Sequence, residues 1–276
     1  MVQFSLTSAI LLASSLVSST LAANTNGCGG VNATLTSGVH KIKVNGVDRQ
    51  YTLKLPDGYD GKTPKKLIFG WHWRFSRMED VVTGVSIQPW YGLESRAKGS
   101  AIFVAPDGID KGWSNDNGRD IAFLDAMIKE LDAGLCIDTE QRFSVGYSYG
   151  AAMTFAVACA RAKQFRAVSI INGGLVSGCD GGNDPVNFLQ FRGTEDGVFP
   201  LDKQVELKDK FVKANGCQAK DLAVPVSPSQ SATTDFTCTK KKLSFVTFVG
   251  GHVGAPLGEN NPLGPDTTWD FFTKAT

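Results

Sequence analysis

The feature that most constrains this chain is a strand that breaks abruptly into a helix around one serine. Phe143-Ser144-Val145 reads as a short buried strand, Gly146-Tyr147-Ser148-Tyr149-Gly150 as a tight turn, and Ala151-Ala152-Met153 as the start of a small-residue helix. The turn is a G-x-S-x-G pattern in the strand-to-helix context of a nucleophile elbow. Its glycines answer a steric need, because strand and helix approach closely and a side chain two residues before or after the serine would clash. The Ser148 hydroxyl is then exposed at the tip, beside free backbone N–H groups at a helix N-terminus.

The flanking sequence supplies the rest of an α/β domain. Residues 38–44 and 50–55 alternate polar and apolar around Asn45-Gly46, a strong hairpin signal, and Pro56-Asp57-Gly58 ends the pair. Compact apolar runs at 66–71, 101–105, 167–171, 188–192 and 243–249 predict central strands. Helices are expected at 90–98, at 120–135, from the elbow to about Lys163, at 205–215 before Gly216, and at 267–274. In the second of these, Ile121, Leu124, Ile128 and Leu131 keep helical spacing. Buried strands alternating with helices predict a mostly parallel sheet covered on both faces, with an antiparallel N-terminal hairpin. No internal repeat or linker divides the chain.

A serine nucleophile needs a base, and the base needs an orienting carboxylate. In the order Ser, acid, His, only His252 follows Ser148; it lies in Gly250-Gly251-His252, just after the last strand. His40 alternates within the hairpin and reads as a surface residue. The acid belongs in Gly193-Thr194-Glu195-Asp196-Gly197, after a strand and before a helix; Asp196 is the candidate and Glu195 the alternative. The oxyanion donors would be the backbone N–H of Tyr149 and one from His72-Trp73-Arg74-Phe75, with Trp73 the candidate and Arg74 the alternative. His72 is expected to shape that loop rather than accept protons. Trp113 and Trp90 are candidates for the wall of an acyl pocket, with a core or rim position as the alternative for each.

The N-terminus carries an apolar run, Ala9-Ile10-Leu11-Leu12-Ala13, followed by Thr20-Leu21-Ala22-Ala23. Residues 1–22 read as a secretory signal peptide, leaving 23–276 as a single catalytic domain in a soluble, extracellular protein. All six cysteines, Cys28, Cys136, Cys159, Cys179, Cys217 and Cys238, fall in that mature part. They predict three disulfides out of 15 connectivities. Cys217 and Cys238 bracket one Ser/Thr-rich loop and are paired on that ground. Asn32-Ala33-Thr34 is a glycosylation sequon. A formal charge of +1 with interspersed signs argues against nucleic-acid or membrane-surface binding. The absence of C-x-x-C or a Cys/His cluster argues against a metal site, and no cofactor is implied.

Several segments together resemble the secreted fungal feruloyl (ferulic acid) esterases of type B, close to polyhydroxyalkanoate depolymerase-like esterases. They are Cys28-Gly29-Gly30, Leu55-Pro56-Asp57-Gly58-Tyr59, Leu67-Ile68-Phe69-Gly70-Trp71-His72-Trp73, Pro106-Asp107-Gly108, Gly112-Trp113, the elbow, Gly193-Thr194-Glu195-Asp196 and Gly250-Gly251-His252. The resemblance spans the mature chain and implies an α/β-hydrolase fold. It also implies hydrolysis of feruloyl or p-coumaroyl esters on plant cell-wall polysaccharide by Ser148, Asp196 and His252, in a chain acting as a monomer. Acetylxylan esterase and polyester depolymerase chemistry would use the same machinery; a non-catalytic carbohydrate-binding protein on this fold is the alternative of another class. Relatives run into a glycine-rich turn after Trp73, whereas here Arg74-Phe75-Ser76-Arg77 follows; these bulkier residues are expected to narrow the cleft.

Overall fold

The computed structural model describes residues 23–30, 35–227, 230–257 and 263–275. The signal-peptide segment 1–22 and Asn32 of the sequon lie outside the described residues. Among the described residues nine strands form one sheet in the order β1-β2-β4-β3-β5-β6-β7-β9-β8. They are β1 (Gly38–Val44), β2 (Val47–Lys54), β3 (Lys65–Trp71), β4 (Ala101–Pro106), β5 (Ile137–Tyr147), β6 (Ala167–Ile171), β7 (Asn187–Gly193), β8 (Ser231–Asp235) and β9 (Leu243–Phe248). The six central strands pair in parallel, while β1, β2 and β8 join through antiparallel pairs at the two edges. This is the mostly parallel sheet predicted from the sequence.

Alternation along the strands sends side chains into two separate cores. Leu67, Phe69 and Trp71 of β3 point to one face, where α3 (Arg119–Gly134), α4 (Tyr149–Arg161) and α5 (Leu201–Ala214) pack. Ile68 of β3, Phe103 of β4 and Val145 of β5 point to the other, under α1 (Met78–Thr83), α2 (Leu93–Ala97) and α6 (Leu263–Lys274). Residues Gly150 through Cys159 of α4 are all buried, which explains their small, apolar composition.

Three differences from the sequence reading have local causes; apart from these, helix α5 starts at Leu201 rather than at 205. The helix expected at 90–98 shrinks to α2, because Trp90 and Tyr91 take left-handed backbone (φ 54° and 57°) that no helix can continue through. Helix α1, only six residues long, is too short for periodicity to reveal; Asp80 nucleates it by accepting the Arg77 N–H and the Ser76 hydroxyl. The polar run Ser231–Asp235 is an edge strand, and an edge strand needs no apolar alternation on its solvent side. Helix α6 starts at Leu263 rather than at 267.

Disulfides join Cys28 to Cys136, Cys159 to Cys179 and Cys217 to Cys238. The first closes a loop of 108 residues, and restricting the unfolded chain that far stabilises the fold by about 4–5 kcal/mol in the chain-entropy account. A buried ion pair fixes the other approach to the site. Arg49 of β2 donates to Asp120 at 2.9 Å with both side chains nearly inaccessible, and its guanidinium lies 4.0 Å over the Phe123 ring. The second Asp120 oxygen accepts the Asn115 N–H, anchoring the loop after β4.

Removing one member of such a pair strands the other charge in the core. Asp120→Ala is therefore expected to lower unfolding free energy by about 3–5 kcal/mol in urea denaturation. Asp48→Ala, which breaks the exposed Lys43 contact, should leave the urea midpoint where it is.

Candidate active site

The site is built from loops that leave the C-terminal ends of adjacent parallel strands. Register pairs Trp71 with Gly146, Tyr147 with Ile171, Ile171 with Phe191 and Gly193 with Phe248, so the ends of β3, β5, β6, β7 and β9 lie side by side. Ser148 follows β5 in a backbone conformation (φ 56°, ψ −117°) that side-chain-bearing residues rarely adopt. Both flanking glycines are obligatory. A Cβ on Gly146 would lie 2.1 Å from the Gly150 carbonyl oxygen, and one on Gly150 would lie 2.1 Å from that of Trp71.

The structure brings Ser148, His252 and Asp196 into one hydrogen-bonded line. His252 Nε2 lies 2.8 Å from Ser148 Oγ, and His252 Nδ1 lies 3.0 Å from Asp196 Oδ2. The Asp196 side chain is fully buried, that of His252 is 15% exposed, and Ser148 is half-buried at the cleft floor. Asp196 Oδ1 accepts the Val198 and Phe199 amides at 2.9 Å each, and Gln204 donates to Oδ2 at 3.1 Å. Burial alone would raise the pKa of this carboxyl. The His252 bond and the Phe199 and Val198 amides outweigh burial and hold the group below its ordinary value. With Nδ1 keeping its proton and donating it in a hydrogen bond to the carboxylate, Nε2 is left to accept from the serine hydroxyl. Glu195 is exposed and does not join this line, although its amide donates to the Gly250 carbonyl and ties the acid loop to the histidine loop.

A cleft of about 600 Å³ opens over Ser148. Arg74 and Phe75 from the loop after β3, Lys111 and Arg119 from the segment after β4, Tyr149, Val176, Val198 and Phe199 line it. The Arg74 guanidinium stacks 4.7 Å from the Phe75 ring, so these two side chains cover one wall, yet the volume stays within the range of small-molecule sites. Trp113 does not line the cleft. It has no solvent exposure, packs edge-on against Trp71 at 4.9 Å and donates its indole N–H to the His72 carbonyl at 2.8 Å. The aromatic nearest that expectation is Tyr149, which borders the cleft. Trp90 is buried against Phe103, and His40 stacks on Tyr51 in the hairpin, away from the site.

No family model matches the chain. Among curated proteins, a probable feruloyl esterase C of Aspergillus niger is 53% identical over 266 residues, covering 96% of this chain and 97% of that protein. Feruloyl esterase C of Emericella nidulans is 54% identical over 254 residues, covering 92% of each. The chain belongs to the fungal feruloyl esterase family. It is a carboxylic ester hydrolase. The fold agrees: an acetyl xylan esterase structure from Aspergillus awamori superposes with a TM-score of 0.61 at 12% identity, over 86% of this chain and 99% of that one.

Two residues with no sequence signal beyond a turn or an apolar strand hold the esterase's histidine loop. Asn172, buried at the end of β6, donates to the Val253 carbonyl at 2.9 Å and accepts the Gly193 amide at 2.9 Å, so it bridges the loops of His252 and Asp196. Asn172-Gly173-Gly174 reads in the sequence only as a loop. Tyr147 donates its hydroxyl to the His252 carbonyl at 2.8 Å and sets its ring 5.0 Å from the imidazole. Burial, with Asp196 nearby, pushes the Tyr147 phenol up to about 12, so it stays a donor.

His72 shapes the loop after β3. Its Nδ1 bonds the Trp73 carbonyl at 2.8 Å and its Nε2 accepts the Gly108 amide at 2.9 Å. That pairing requires the neutral ring with the proton on Nδ1. Asp107 Oδ1, 3.8 Å from Nε2, is therefore not an ion-pair partner. Burial lowers the His72 pKa, against the raising influence of the Trp73 carbonyl and of Asp107, Asp80 and Asp120. The unfolded chain consequently binds a proton that the native state refuses. Stability is fully present above the unfolded value of about 6.5 and falls as pH drops below it. Urea midpoints measured from pH 8 to pH 5 should fall across that window, and His72→Gln should flatten the slope. The Asp196 contribution lies lower, below the ordinary carboxylate range, and does not enter this window.

Proposed function

We propose that this esterase is secreted and hydrolyses feruloyl and p-coumaroyl esters of plant cell-wall polysaccharide, with Ser148 as nucleophile, His252 as base and Asp196 as the orienting acid. The observation that carries the reading is the continuous Asp196–His252–Ser148 hydrogen-bond line opening on a cleft where Phe75, Tyr149 and Phe199 stand beside the charged Arg74, Lys111 and Arg119. Such a cleft suits a flat phenylpropenoyl group better than an acetyl group. Relatives of more than half identity carry the name feruloyl esterase.

In the first half-reaction Ser148 Oγ attacks the ester carbonyl as its proton passes to His252 Nε2. The charge on the former carbonyl oxygen falls to the Tyr149 N–H, at the start of α4, and to the Trp73 N–H or its neighbour at Arg74. Collapse expels the sugar alcohol, protonated by the imidazolium, and leaves a hydroxycinnamoyl ester on Ser148. Water, deprotonated by His252, then attacks that ester, and the acid departs as Ser148 regains its proton. Asp196 keeps its negative charge throughout and stabilises the imidazolium. No cofactor enters these steps.

The same reading includes cleavage after residue 22, a single catalytic domain over 23–276, a glycan on Asn32 and action as a monomer. Three disulfides suit an oxidising compartment. Among the described residues no helix is long and apolar enough to cross a membrane.

Kinetics on methyl ferulate, methyl p-coumarate, an aryl acetate and a short polyhydroxyalkanoate test the substrate assignment. The hydroxycinnamates should lead in kcat/KM by roughly tenfold or more; a preference for the acetate would overturn it. Ser148→Ala should lose roughly 10⁴-fold or more in kcat with little change in melting temperature. Asp196→Asn should be far more damaging than Glu195→Gln, and the reverse order would exchange their roles.

A further inference from the structure

The β3–β5 ladder ends at the Trp71–Gly146 pair. A side chain joins the two strand ends there. The Tyr91 hydroxyl accepts the Tyr147 N–H at 3.0 Å and donates to the Trp71 carbonyl oxygen at 2.5 Å. One phenol thus bonds both strand ends, standing between the last residue of β3 and the last residue of β5. Immediately beyond Trp71 come His72, Trp73 and Arg74, the source of one oxyanion donor. Immediately beyond Tyr147 comes Ser148.

We propose that Tyr91 is a positioning residue for the oxyanion hole, its phenol acting as a spacer that sets the distance between the amide of the β3 loop and Ser148. This deepens the proposed function and rests on Ser148 being the nucleophile.

Three further observations suit a spacer better than an incidental core tyrosine. Trp90 and Tyr91 both hold positive φ, 54° and 57°, followed by Gly92 at 69°; consecutive side-chain-bearing residues in this region persist only where the surroundings compel them. The Tyr91 ring lies directly on Gly70 of β3, where an added Cβ would stand 3.4 Å from Tyr91 Cδ2, so the strand keeps a glycine under the ring. The phenol also needs to give and accept a hydrogen bond at once, which of the aromatic hydrocarbons and phenols only tyrosine can do. Burial raises its pKa, so the proton on which the bond to Trp71 depends is retained.

The test is Tyr91→Phe, assayed for kcat and KM on methyl ferulate and for inhibition by an aryl boronic acid. The boronic acid adds to Ser148 as a tetrahedral anion whose oxygen occupies the oxyanion hole. The proposal expects kcat to fall roughly 10–100-fold, with KM within about threefold. It also expects boronate affinity to weaken by the same factor as kcat. Phe103→Leu, which loosens the same core beside Trp90, should lower the melting temperature while leaving kcat and boronate affinity at wild-type values. A Tyr91→Phe kcat within about twofold of wild type, or a loss of kcat with boronate affinity intact, would overturn the spacer.

If Tyr91→Phe does not fold, Gly70→Ala decides the matter. Its Cβ would press on Val81 at 3.2 Å and on the Tyr91 ring at 3.4 Å, displacing the phenol without removing it. A several-fold loss of kcat and boronate affinity at constant KM supports the proposal; wild-type values overturn it. Fluorophosphonate labelling of wild-type Ser148 separates the two levels. Absence of labelling defeats the nucleophile assignment itself, whereas labelling together with an unaltered Tyr91→Phe enzyme defeats the spacer alone.

Discussion

Backbone meets backbone, with no side chain between, where the Trp71 carbonyl faces the first turn of α4. Any Cβ at Gly150 would fall 2.1 Å from that oxygen, and any Cβ at Gly146 would fall 2.1 Å from the Gly150 carbonyl. This contact holds the end of β3, the end of β5 and the start of α4 at one point. Three features of the site follow from it: a serine at positive φ, a helix N-terminus directly after that serine, and a β3 loop held against the first turn of α4. The cost is local strain at Ser148, borne because both sheet cores and the buried α4 pack around the turn.

From that fixed point the polar line to Asp196 runs from half-buried to fully buried. Low dielectric at the acid end strengthens each hydrogen bond and makes an unpaired charge costly, so the carboxylate is bound on both oxygens. Each loop carrying a member of the line is also tied to its neighbour. Asn172 links the loops after β7 and β9, the Glu195 amide bonds Gly250, and Tyr147 holds the carbonyl of His252 itself. The elbow strand thereby positions the histidine as well as the serine.

The sheet, its N-terminal hairpin and the three aligned residues were legible because each rests on a strong local pattern: continuous apolar runs, Asn45-Gly46, and glycines flanking Ser148. His252 was legible by elimination among three histidines, and Asp196 by its place between a strand and a helix. Trp113 takes the core position, the alternative that the sequence left open because an isolated tryptophan carries no periodicity; its indole N–H serves a backbone carbonyl there. Tyr91 and Asn172 left no sequence signal for a physical reason. Each acts through hydrogen bonds to residues 20 to 81 positions away, and a single chain does not display contacts of that separation. The helix expected at 90–98 failed at the same place, since composition there is helical but Tyr91 must turn its hydroxyl into the sheet.

The central claim is that hydrolysis passes through an ester on Ser148. Rapid acid quenching during turnover of methyl ferulate, followed by peptide mass spectrometry, tests it directly. A feruloyl adduct is expected on the peptide containing Ser148, formed and lost at rates compatible with kcat. Product formation at full rate with Ser148 unmodified at every quench time, or an adduct on another residue, would contradict it.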